Sequence, residues 1–371
     1  MARVVLIGAN GHGRHHRRHV AELAERGLVE LVGLADPAPV PDAPAGVPLF
    51  TDHRELLAAV AADVAIVCTP PHTHLPIGLD VLAAGADLLL EKPPVLDLAQ
   101  HAALADAAAA TGGVIQVGFQ ALASPALHRL RAAIADGRLG VVRGVSVVAA
   151  WQRDDAYWAR SPWAGRRTVA GRPTLDGALA NAHGHAVMQA LAVLDAPVER
   201  VEVAWCRVRP MEVEDTATLR LTLAGGAQLL IAVTLAGEEF IDGDLAVVDS
   251  TGRAELAFRL DRQGMPGDPE PVLVDGRRSL LENLVAHRRT GEPLLAPLTA
   301  TARFTAVIEA LRAMPAPTEV DPGYVMIHDN VRILRNVNAV LRRCAEEFAL
   351  LTDVDMPWAA NAGGGTANLT G

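Results

Sequence analysis

Roughly the first 120 residues of the chain alternate short, continuous apolar runs with longer amphipathic stretches of helical period. The apolar runs predict five strands, at Arg3–Ile7, Val29–Leu34, Val64–Cys68, Asp87–Leu90 and Val114–Val117. The stretches between them predict four helices, at Arg14–Arg26, His53–Val60, Pro76–Ala84 and Leu98–Thr111. Continuous apolar strands that alternate with helices are typical of a parallel sheet covered on both faces. The pattern therefore predicts an α/β fold whose N-terminal domain is doubly wound.

The pattern changes near Val141, where longer strands follow one another across short Gly-containing turns. The predicted strands are Val142–Trp151, Glu199–Val208, Asp215–Leu223, Gln228–Leu235, Asp244–Asp249 and Ala254–Leu260. The predicted helices are Pro125–Asp136, Leu179–Leu194, Ser279–Thr290, Thr299–Met314 and Pro322–Leu350. This predicts an α+β domain with a large, mainly antiparallel open sheet. We place a first domain at 1–122, a second at 123–358, and a flexible tail at 359–371, because those last residues are rich in Gly, Ala, Asn and Thr.

Composition narrows the classes of function. The net charge is −10, and no basic run outlasts its acidic neighbours, which argues against a nucleic-acid partner. No apolar stretch reaches ~18 residues, the length of a membrane span. The chain runs from Met1 directly into a strand, which leaves no room for a secretory signal, and its cysteines lack paired or metal-ligand spacing. These features favour a cytoplasmic protein with reduced thiols.

A Gly-rich turn follows the first predicted strand and opens the first predicted helix. Gly8 permits the tight turn, and Gly13 lets the helix pack close to the sheet. The N–H groups of the turn, which also contains Asn10, Gly11 and His12, can hold a pyrophosphate. Asn10 occupies the place of the middle glycine in the usual G-x-G-x-x-G pattern, and Asn tolerates unusual backbone angles. The position of this turn in a βαβ pattern predicts a dinucleotide-binding Rossmann domain.

Asp36 ends the second predicted strand, where a carboxylate can accept hydrogen bonds from the adenosine ribose and repel a 2′-phosphate. No basic residue follows it closely, so NAD is favoured as cofactor and NADP stays as the alternative. A turn-capping role before Pro37 also stays open. The first helix carries His12, His15, His16 and His19, a spacing that could indicate metal ligands. Because three arginines are interleaved with them, we expect no metal.

Two further motifs follow later strands of the same domain. The run from Cys68 to His74 reads CTPPHTH, and Glu91-Lys92-Pro93-Pro94 follows the strand at Asp87–Leu90. With the Gly-rich turn, the strand end Val117–Gln120 and a later Asn-x-x-x-His segment, they occur in the order found in one family. The chain resembles the Gfo/Idh/MocA oxidoreductases, which include glucose–fructose oxidoreductase and inositol dehydrogenase. The resemblance covers about residues 3–350.

The resemblance implies several site residues. In that family the lysine of the Glu-Lys-Pro motif approaches the nicotinamide ribose and the substrate, and its bond to proline is commonly cis. Here these would be Lys92 and the Lys92–Pro93 bond. The cofactor site would further include Thr69, Pro70, His74, Glu91 and Gln120.

The segment Leu175–His185 looks like the family's Asp/Asn-x-x-x-His motif. If it is helical, Asn181 and His185 are one turn apart on one face, and His183 points elsewhere. Alcohol oxidation needs a base for the hydroxyl proton, and histidine suits that role at neutral pH. We therefore assign catalysis to Lys92, His185 and Asn181, and a structural role to His183. Many relatives carry Asp at the place of Asn181, so the identity of the oxidised hydroxyl stays open.

A loop rich in Trp and Arg follows, at Trp151–Arg167. Large amphipathic rings and planar cations suit a polyhydroxylated ligand, and a packing role at a domain or subunit surface is the alternative. Together with Lys92, Asn181 and His185, the predicted substrate-binding residues are Arg153, Tyr157, Trp163 and Arg166.

These assignments predict NAD-linked oxidation of a ring hydroxyl in a sugar, sugar derivative or cyclitol. They require Lys92 and His185 to converge on the reactive carbon of the nicotinamide. Two alternatives stay open: glycoside cleavage by transient oxidation with retained NAD, and a non-catalytic nucleotide-binding regulator. An open sheet with one face bare of helices would be a surface for dimer contact, and relatives use theirs in that way. A homodimer or homotetramer is therefore expected.

Overall fold

The computed structural model describes residues 1–250, 252–257 and 259–369. The chain divides into two compact units, each formed from two separate segments. The first unit comprises Met1–Ala123 and Arg278–Thr305, and the second comprises the described parts of Ser124–Arg277 and Ala306–Gly371. Among the described residues, the structure contains no helix that is both long enough and apolar enough to cross a membrane.

The elements of residues 1–123 alternate between strand and helix. They are β1 (Ala2–Ile7), α1 (Gly13–Glu25), β2 (Val29–Ala35), β3 (Leu49–Phe50), α2 (His53–Ala59), β4 (Val64–Val67), α3 (His74–Ala83), β5 (Asp87–Leu90), α4 (Leu98–Thr111) and β6 (Ile115–Val117). The six strands form one parallel sheet in the order β3-β2-β1-β4-β5-β6. Its central strands β1 and β4 are buried because helices cover both faces of such a sheet. The predicted doubly wound Rossmann fold is confirmed; only the two-residue β3 was not predicted.

Residues 124–277 contain most of a second sheet. The elements are α5 (Pro125–Ala135), β7 (Val142–Gln152), α6 (Asp155–Trp158), β8 (Thr168–Val169), β9 (Arg172–Pro173), α7 (Gly184–Val193), β10 (Val198–Arg207), β11 (Thr216–Leu223), β12 (Gln228–Thr234), β13 (Ala236–Asp249), β14 (Arg253–Ala257), β15 (Arg262–Gly264) and β16 (Val272–Leu273). Two residues of predicted features, Thr251 in a turn and Phe258 in a strand, lie outside the described residues.

The last part of the chain adds α8 (Leu280–Thr290), α9 (Ala302–Ala313), β17 (Thr318–Glu319), β18 (Val325–His328), β19 (Val331–Leu334), α10 (Val337–Glu347) and β20 (Gly363–Asn368). The large sheet has the order β16-β15-β14-β13-β7-β12-β11-β10-β17. Most neighbours are antiparallel, but β7–β12 and β10–β17 are parallel pairs, so the sheet is mixed. The predicted large, mainly antiparallel sheet is confirmed.

Both faces of the central strands are covered. The side chains of Val148, Ala150, Leu230 and Ala232 pack in one apolar cluster with residues of α10. Because side chains alternate along a strand, the intervening Val147, Ala149, Leu229 and Ile231 point to the opposite face, and they are also fully buried. The predicted dimer surface required a sheet face bare of helices, and β7 and β12 have no such face. The homodimer or homotetramer stays a prediction.

The segment 278–305, which the sequence pattern assigns to the second domain, packs instead in the first unit. Gln116 of β6 anchors it: its Nε2 donates to the carbonyl of Leu280 at 2.6 Å and to Oδ1 of Asn283 at 2.9 Å. Its Oε1 accepts from the backbone N of Ala296 at 2.9 Å. One buried amide therefore satisfies three groups about 160–180 residues further along the chain, a connection that local periodicity does not reveal.

The single long helix predicted at Pro322–Leu350 is wrong. The structure forms the hairpin β18–β19 and then the shorter helix α10. The turn of the hairpin is Asp329-Asn330, with φ values of 46° and 65°. Asp and Asn accept such angles more readily than other residues with side chains, and a pair of them favours a tight hairpin turn.

The flexible tail predicted at 359–371 is wrong for most of its length. Strand β20 pairs antiparallel with β10, from Arg200↔Asn368 to Trp205↔Gly363. On this side of β10 the two-residue β17 covers only Cys206 and Arg207, and the rest of the strand offers N–H and C=O groups to an extended chain, as an edge strand does. Such pairing uses the backbone, so it requires none of the apolar side chains that the composition lacks. Residues 370 and 371 lie outside the described residues.

Candidate functional site

The Gly-rich turn has the close contacts that its glycines predict. Strand β1 ends at Ile7, and the N–H of Gly8 donates to the carbonyl of Ala35 at 2.8 Å. Gly8 has φ +90°, and a Cβ there would lie 2.2 Å from the carbonyl oxygen of Cys68. A Cβ on Gly13 would lie 2.0 Å from the carbonyl oxygen of Gly8. Only glycine fits at either position, so the backbone of the turn is free of side chains where a pyrophosphate would approach.

Asp36 joins the end of β2 to this turn. Its Oδ2 accepts from the backbone N of Asn10 at 3.0 Å, and its Oδ1 accepts from the N of Ala38 at 2.9 Å. The carboxylate is therefore held at the carboxyl end of β2, the edge at which such sheets bind the adenosine ribose. The capping role and the ribose role proposed for Asp36 are compatible, because each oxygen has a second lone pair.

His74 is fully buried at the start of α3 and connects two loops. Its Nδ1 faces the carbonyls of Pro93 at 2.9 Å and Pro94 at 3.1 Å, and its Nε2 faces the carbonyl of Thr69 at 2.8 Å. Burial lowers the pKa of His74, although the carbonyls around it act in the opposite direction. A side chain without exposure cannot touch a dinucleotide. The resemblance implied direct contact between His74 and the cofactor. In the structure, His74 instead positions Thr69 and the Glu-Lys-Pro loop.

We expect His74→Ala to destabilise the fold by about 1–3 kcal/mol, because buried carbonyls lose their donor. Urea unfolding followed by circular dichroism would measure the loss. The matched control is His15→Ala, which removes an exposed imidazole of α1 and should leave the free energy of unfolding unchanged. Equal stability of the two variants would contradict the positioning role.

The Glu-Lys-Pro motif lies after β5, and the predicted cis bond between Lys92 and Pro93 is confirmed. Glu91 is buried; its Oε2 accepts from the backbone N of Lys92 at 3.1 Å, and its Oε1 is 2.8 Å from Nε2 of His16. Burial raises the pKa of Glu91, but hydrogen bonds and charge from His12 and His16 outweigh it, so the pKa lies well below its usual value. Glu91 is therefore a carboxylate that ties the motif to α1.

Lys92 itself is half-buried. It is also the only lysine among the 33 lysine and arginine residues of the chain. Every other permanent side-chain cation is a guanidinium, so the one side-chain ammonium lies in the Glu-Lys-Pro motif. Thr69 and Pro70 follow β4 at the same edge of the sheet, and Gln120 is exposed just after β6.

The Asn-x-x-x-His segment lies in the second unit and is not one regular helix. Residues Ala178–Ala182 form a π-helical turn, the backbone departs from helical angles at His183, and α7 begins at Gly184. Asn181 and His185 are both half-buried, on either side of this break. His183 is 2% exposed, with its Nε2 3.0 Å from the carbonyl of Thr234, in line with the structural role predicted for it.

Asp176 is a residue that the sequence reasoning missed. Its side chain is 1% exposed, and its carboxylate accepts from Arg160 Nη2 at 2.7 Å and from the backbone N of Gly165 at 2.9 Å. It also accepts from Nδ2 of Asn181. Burial raises the pKa of Asp176, and the nearby Arg160 acts against that rise. A carboxyl group, that of Asp176, therefore lies hydrogen-bonded to Asn181.

The loop with Trp and Arg forms a ladder of cation–π contacts. The guanidinium of Arg153 lies 4.8 Å from the ring of Trp151 and 5.0 Å from that of Tyr157. The guanidinium of Arg160 lies 3.9 Å from the Tyr157 ring and 4.8 Å from the Trp163 ring. Because Arg160 also binds Asp176, the ladder connects the loop to Asn181. Planar cations fixed between rings leave less side-chain entropy to lose when a ligand binds.

A shallow cavity of about 450 Å³, widely open to solvent, lies beside this ladder; its lining consists of Gln152, Arg153, Asp154, Tyr157 and Val331. Neither Asn181 nor His185 is among these lining residues. Val331 belongs to β19, so the hairpin that the sequence did not predict supplies one wall. Trp163 does not line this cavity, and Arg166 pairs with Glu212 on the surface at 2.8 Å.

Two buried carboxyl groups, Glu214 and Asp215, support the same region. Oε1 of Glu214 accepts from the backbone N of Leu179 at 2.9 Å, within the segment that carries Asn181. Oδ2 of Asp215 accepts from the N of Val208 at 2.9 Å. Burial raises the pKa of Glu214 to about 7 and that of Asp215 to about 6. No sequence motif marks these residues; the partner of Glu214 lies 35 residues away and that of Asp215 lies seven residues away.

The raised pKa of Glu214 predicts a pH-dependent stability. The folded state holds this proton up to about pH 7 and the unfolded state only to about 4.5, so stability is lost as the pH rises through that window. We expect Glu214→Gln to reduce that loss by about 3 kcal/mol between pH 4.5 and 7, with a smaller slope left from Asp215. Glu212→Gln, at a neighbouring half-buried carboxylate whose pKa burial raises but hydrogen bonds from Arg166 and the backbone of Arg167 lower overall, should keep the wild-type slope between pH 4.5 and 7. Parallel pH profiles of unfolding for all three proteins would contradict the assignment.

Taken unit by unit, the fold and motifs define a dinucleotide-binding oxidoreductase with an appended sheet domain. A family model described as the oxidoreductase family, NAD-binding Rossmann fold, matches residues 2–119. A second model, described as the GFO/IDH/MocA C-terminal domain, matches residues 127–255. The chain belongs to the Gfo/Idh/MocA family of oxidoreductases.

Relatives support the same assignment. The rhizopine catabolism protein MocA of Rhizobium meliloti is 28% identical over 324 residues, which cover 85% of this chain and 94% of the relative. Inositol 2-dehydrogenase of Rhizobium meliloti (strain 1021) is 30% identical over 145 residues, 38% of this chain and 43% of that protein. The WlbA dehydrogenase of Bordetella pertussis, solved in complex with NADH and UDP-GlcNAcA, has a TM-score of 0.70 at 22% identity, covering 83% of this chain and 94% of that one. At that identity the likeness shows the shared fold.

Proposed function

We propose that this protein is an NAD-dependent dehydrogenase that oxidises a secondary hydroxyl of a sugar, sugar derivative or cyclitol. The observation that carries the proposal is the placement of the only lysine, Lys92, directly after β5 of the dinucleotide-binding sheet, in a Glu-Lys-cis-Pro segment. The other 32 of the 33 lysine and arginine residues of this chain are arginine. Retention of the ammonium here favours a chemical role over a solvated surface role.

The residues around the Gly-rich turn fit NAD. Gly8 and Gly13 leave the backbone open to a pyrophosphate, and the carboxylate of Asp36 is fixed at the end of β2, where ribose hydroxyls would donate to it. A 2′-phosphate at that place would meet a negative charge, which supports NAD over NADP. When bound, the nicotinamide would take up the hydride from the substrate carbon.

The remaining chemistry is assigned to side chains. His185 accepts the proton of the reacting hydroxyl, and the ammonium of Lys92 stabilises the negative charge that develops on that oxygen. Asn181 binds a substrate hydroxyl with its Oδ1, because its Nδ2 is already directed at Asp176. Asp176 is a positioning residue in this scheme: it is itself held by Arg160 and by the backbone of Gly165.

The substrate class is supported by the cavity and by the relatives. Arg153 and Tyr157 give the cavity a cation, a hydroxyl and an aromatic face, which suit the hydroxyl and C–H surfaces of a sugar ring. Relatives are named for rhizopine catabolism and for inositol oxidation, and WlbA was solved with a nucleotide sugar. The ligands in these names are all polyhydroxylated, but the compound differs from one relative to the next.

A substrate panel tests the proposal. Cyclitols, hexoses, an N-acetylated hexose and a nucleotide sugar are each mixed with the protein and NAD or NADP, and NADH or NADPH formation is followed by absorbance. We expect turnover with at least one member and a preference for NAD of at least about tenfold, equivalent to ~1.4 kcal/mol of repulsion at Asp36. Asp36→Ser should narrow that preference.

Two outcomes would contradict the proposal. NAD binding by calorimetry without turnover of any panel member would favour a nucleotide-binding regulator. Release of a chromophoric aglycone without net NADH formation would favour a glycosidase that works by transient oxidation.

A further inference from the structure

Two histidines at the start of α1 lie against the carboxylate of Glu91, all within the first unit. His12 precedes the helix but has helical backbone angles, φ −66° and ψ −25°, so it is one turn before His16. Oε1 of Glu91 lies 2.8 Å from Nε2 of His16 and 3.6 Å from Nε2 of His12. The three ligand atoms all lie within 4.8 Å of one another.

This spacing is close to that of a bound transition metal. Zinc bonds of about 2.0–2.1 Å in a tetrahedral arrangement place ligand atoms about 3.3 Å apart. The pair Glu91–His16 would open by about half an ångström, and the widest pair would close by about 1.5 Å. The side chain of His12 is 57% exposed, so it can make that adjustment by rotation. Glu91 and His16 are only 9% and 11% exposed, and they are already in place.

The interleaved arginines do not prevent such a site. Arg17 is buried, its Nη2 donates to Asp42 at 2.8 Å, and its Nε donates to the carbonyl of Ala9 at 3.2 Å, so its charge is paired. Arg14 and Arg18 are exposed, where water and salt screen their charge. The first turn of the helix contains no acidic residue. The anionic ligand, Glu91, comes from 75 residues further along the chain than His16.

We propose that His12, His16 and Glu91 bind a divalent transition-metal ion of the zinc class. Two imidazoles one helical turn apart and a carboxylate from another element are the donor types that zinc and cobalt(II) prefer. Three protein ligands leave the fourth position to water. The site includes His12 of the Gly-rich turn and Glu91 of the Glu-Lys-Pro motif, so it adjoins the proposed cofactor site, but metal binding there requires no nucleotide, substrate or turnover.

Metal titration of the full, untagged chain without nucleotide tests the proposal. Zinc binding is measured by calorimetry, and cobalt(II) binding by the visible absorption bands of a four-coordinate ion. We expect about one ion per chain and a tetrahedral cobalt spectrum. His12→Ala should weaken zinc binding by at least about tenfold, since even groups outside the direct ligands contribute that much.

His15→Ala is the matched control. It removes a neighbouring exposed imidazole, whose ring lies 5.2 Å from that of His12, but none of the three ligands. We expect it to bind zinc as the wild type does. Absence of zinc and cobalt binding in the wild type, or equal weakening in both variants, would overturn the proposal. Circular dichroism of each variant confirms that the fold is retained, and because the readout is metal binding, its failure is distinct from failure of the dehydrogenase proposal.

Discussion

Lys92→Met is expected to lower kcat by about 10²–10³-fold, the usual effect of removing one group that stabilises charge in a transition state. Methionine has nearly the length of lysine and no charge, so the change removes the ammonium and leaves the volume. Lys92→Arg restores a cation but in a planar group that delivers its charge differently, and we expect it to recover only part of the activity. Steady-state NADH formation with the best panel substrate measures all three proteins.

The single lysine permits a second, independent readout. Reductive methylation with ¹³C-formaldehyde labels only Lys92 and the N-terminal amine, so the spectrum contains one side-chain signal. We expect that signal to shift on addition of NAD and to be absent in Lys92→Met. Arg138→Met, which removes an exposed cation, is the control and should leave turnover unchanged. Near-normal turnover of Lys92→Met, or a lysine signal that ignores NAD at saturation, would refute the role of Lys92.

The parts of the fold that follow from local periodicity were predictable. Strands such as β1 and β4 are continuous apolar runs between helices, and that signal needs no knowledge of distant residues. The hairpin β18–β19 was missed although its signal is local: β-branched residues alternate on both sides of Asp329-Asn330. A helix was predicted across this segment, because its Val, Ile and Leu residues fit the helical period of 3.6 as well as the strand period of 2.

The rest depends on contacts between residues far apart in sequence. Gln116 holds the segment at Leu280, and Glu91 lies against His16, yet nothing local marks either pair. The same is true of Glu214 and Leu179. His74 illustrates the limit of a motif: its pattern indicates that it matters, but only coordinates show that it is buried and contacts carbonyls. The glycines of the turn were predictable because their requirement is steric and local.

His185→Gln is expected to lower kcat by about 10²–10⁴-fold, the range contributed by a general base. Glutamine keeps a polar side chain of similar reach but cannot accept the hydroxyl proton at neutral pH. A base acts only when it is unprotonated, so wild-type turnover should fall toward acid pH. In the variant, the slow reaction that remains should not show this fall in rate toward acid pH. This split separates a catalytic role from a structural one, because a loss of folding would not remove the pH dependence of the molecules that stay active.

The matched control is His328→Gln, at a strongly exposed imidazole in the second unit. It should keep both the wild-type rate and the fall in rate toward acid pH. His183→Gln should instead unfold more easily, because it removes a buried ring that contacts Thr234. The pair His183 and His185 thus gives opposite signatures: loss of stability for the first, and loss of rate with an intact fold for the second. If His185→Gln turned over at the wild-type rate with an unchanged pH profile, the proton of the substrate would have to leave by a different group, and the buried carboxylate of Asp176, hydrogen-bonded to the half-buried Asn181, would be the next candidate.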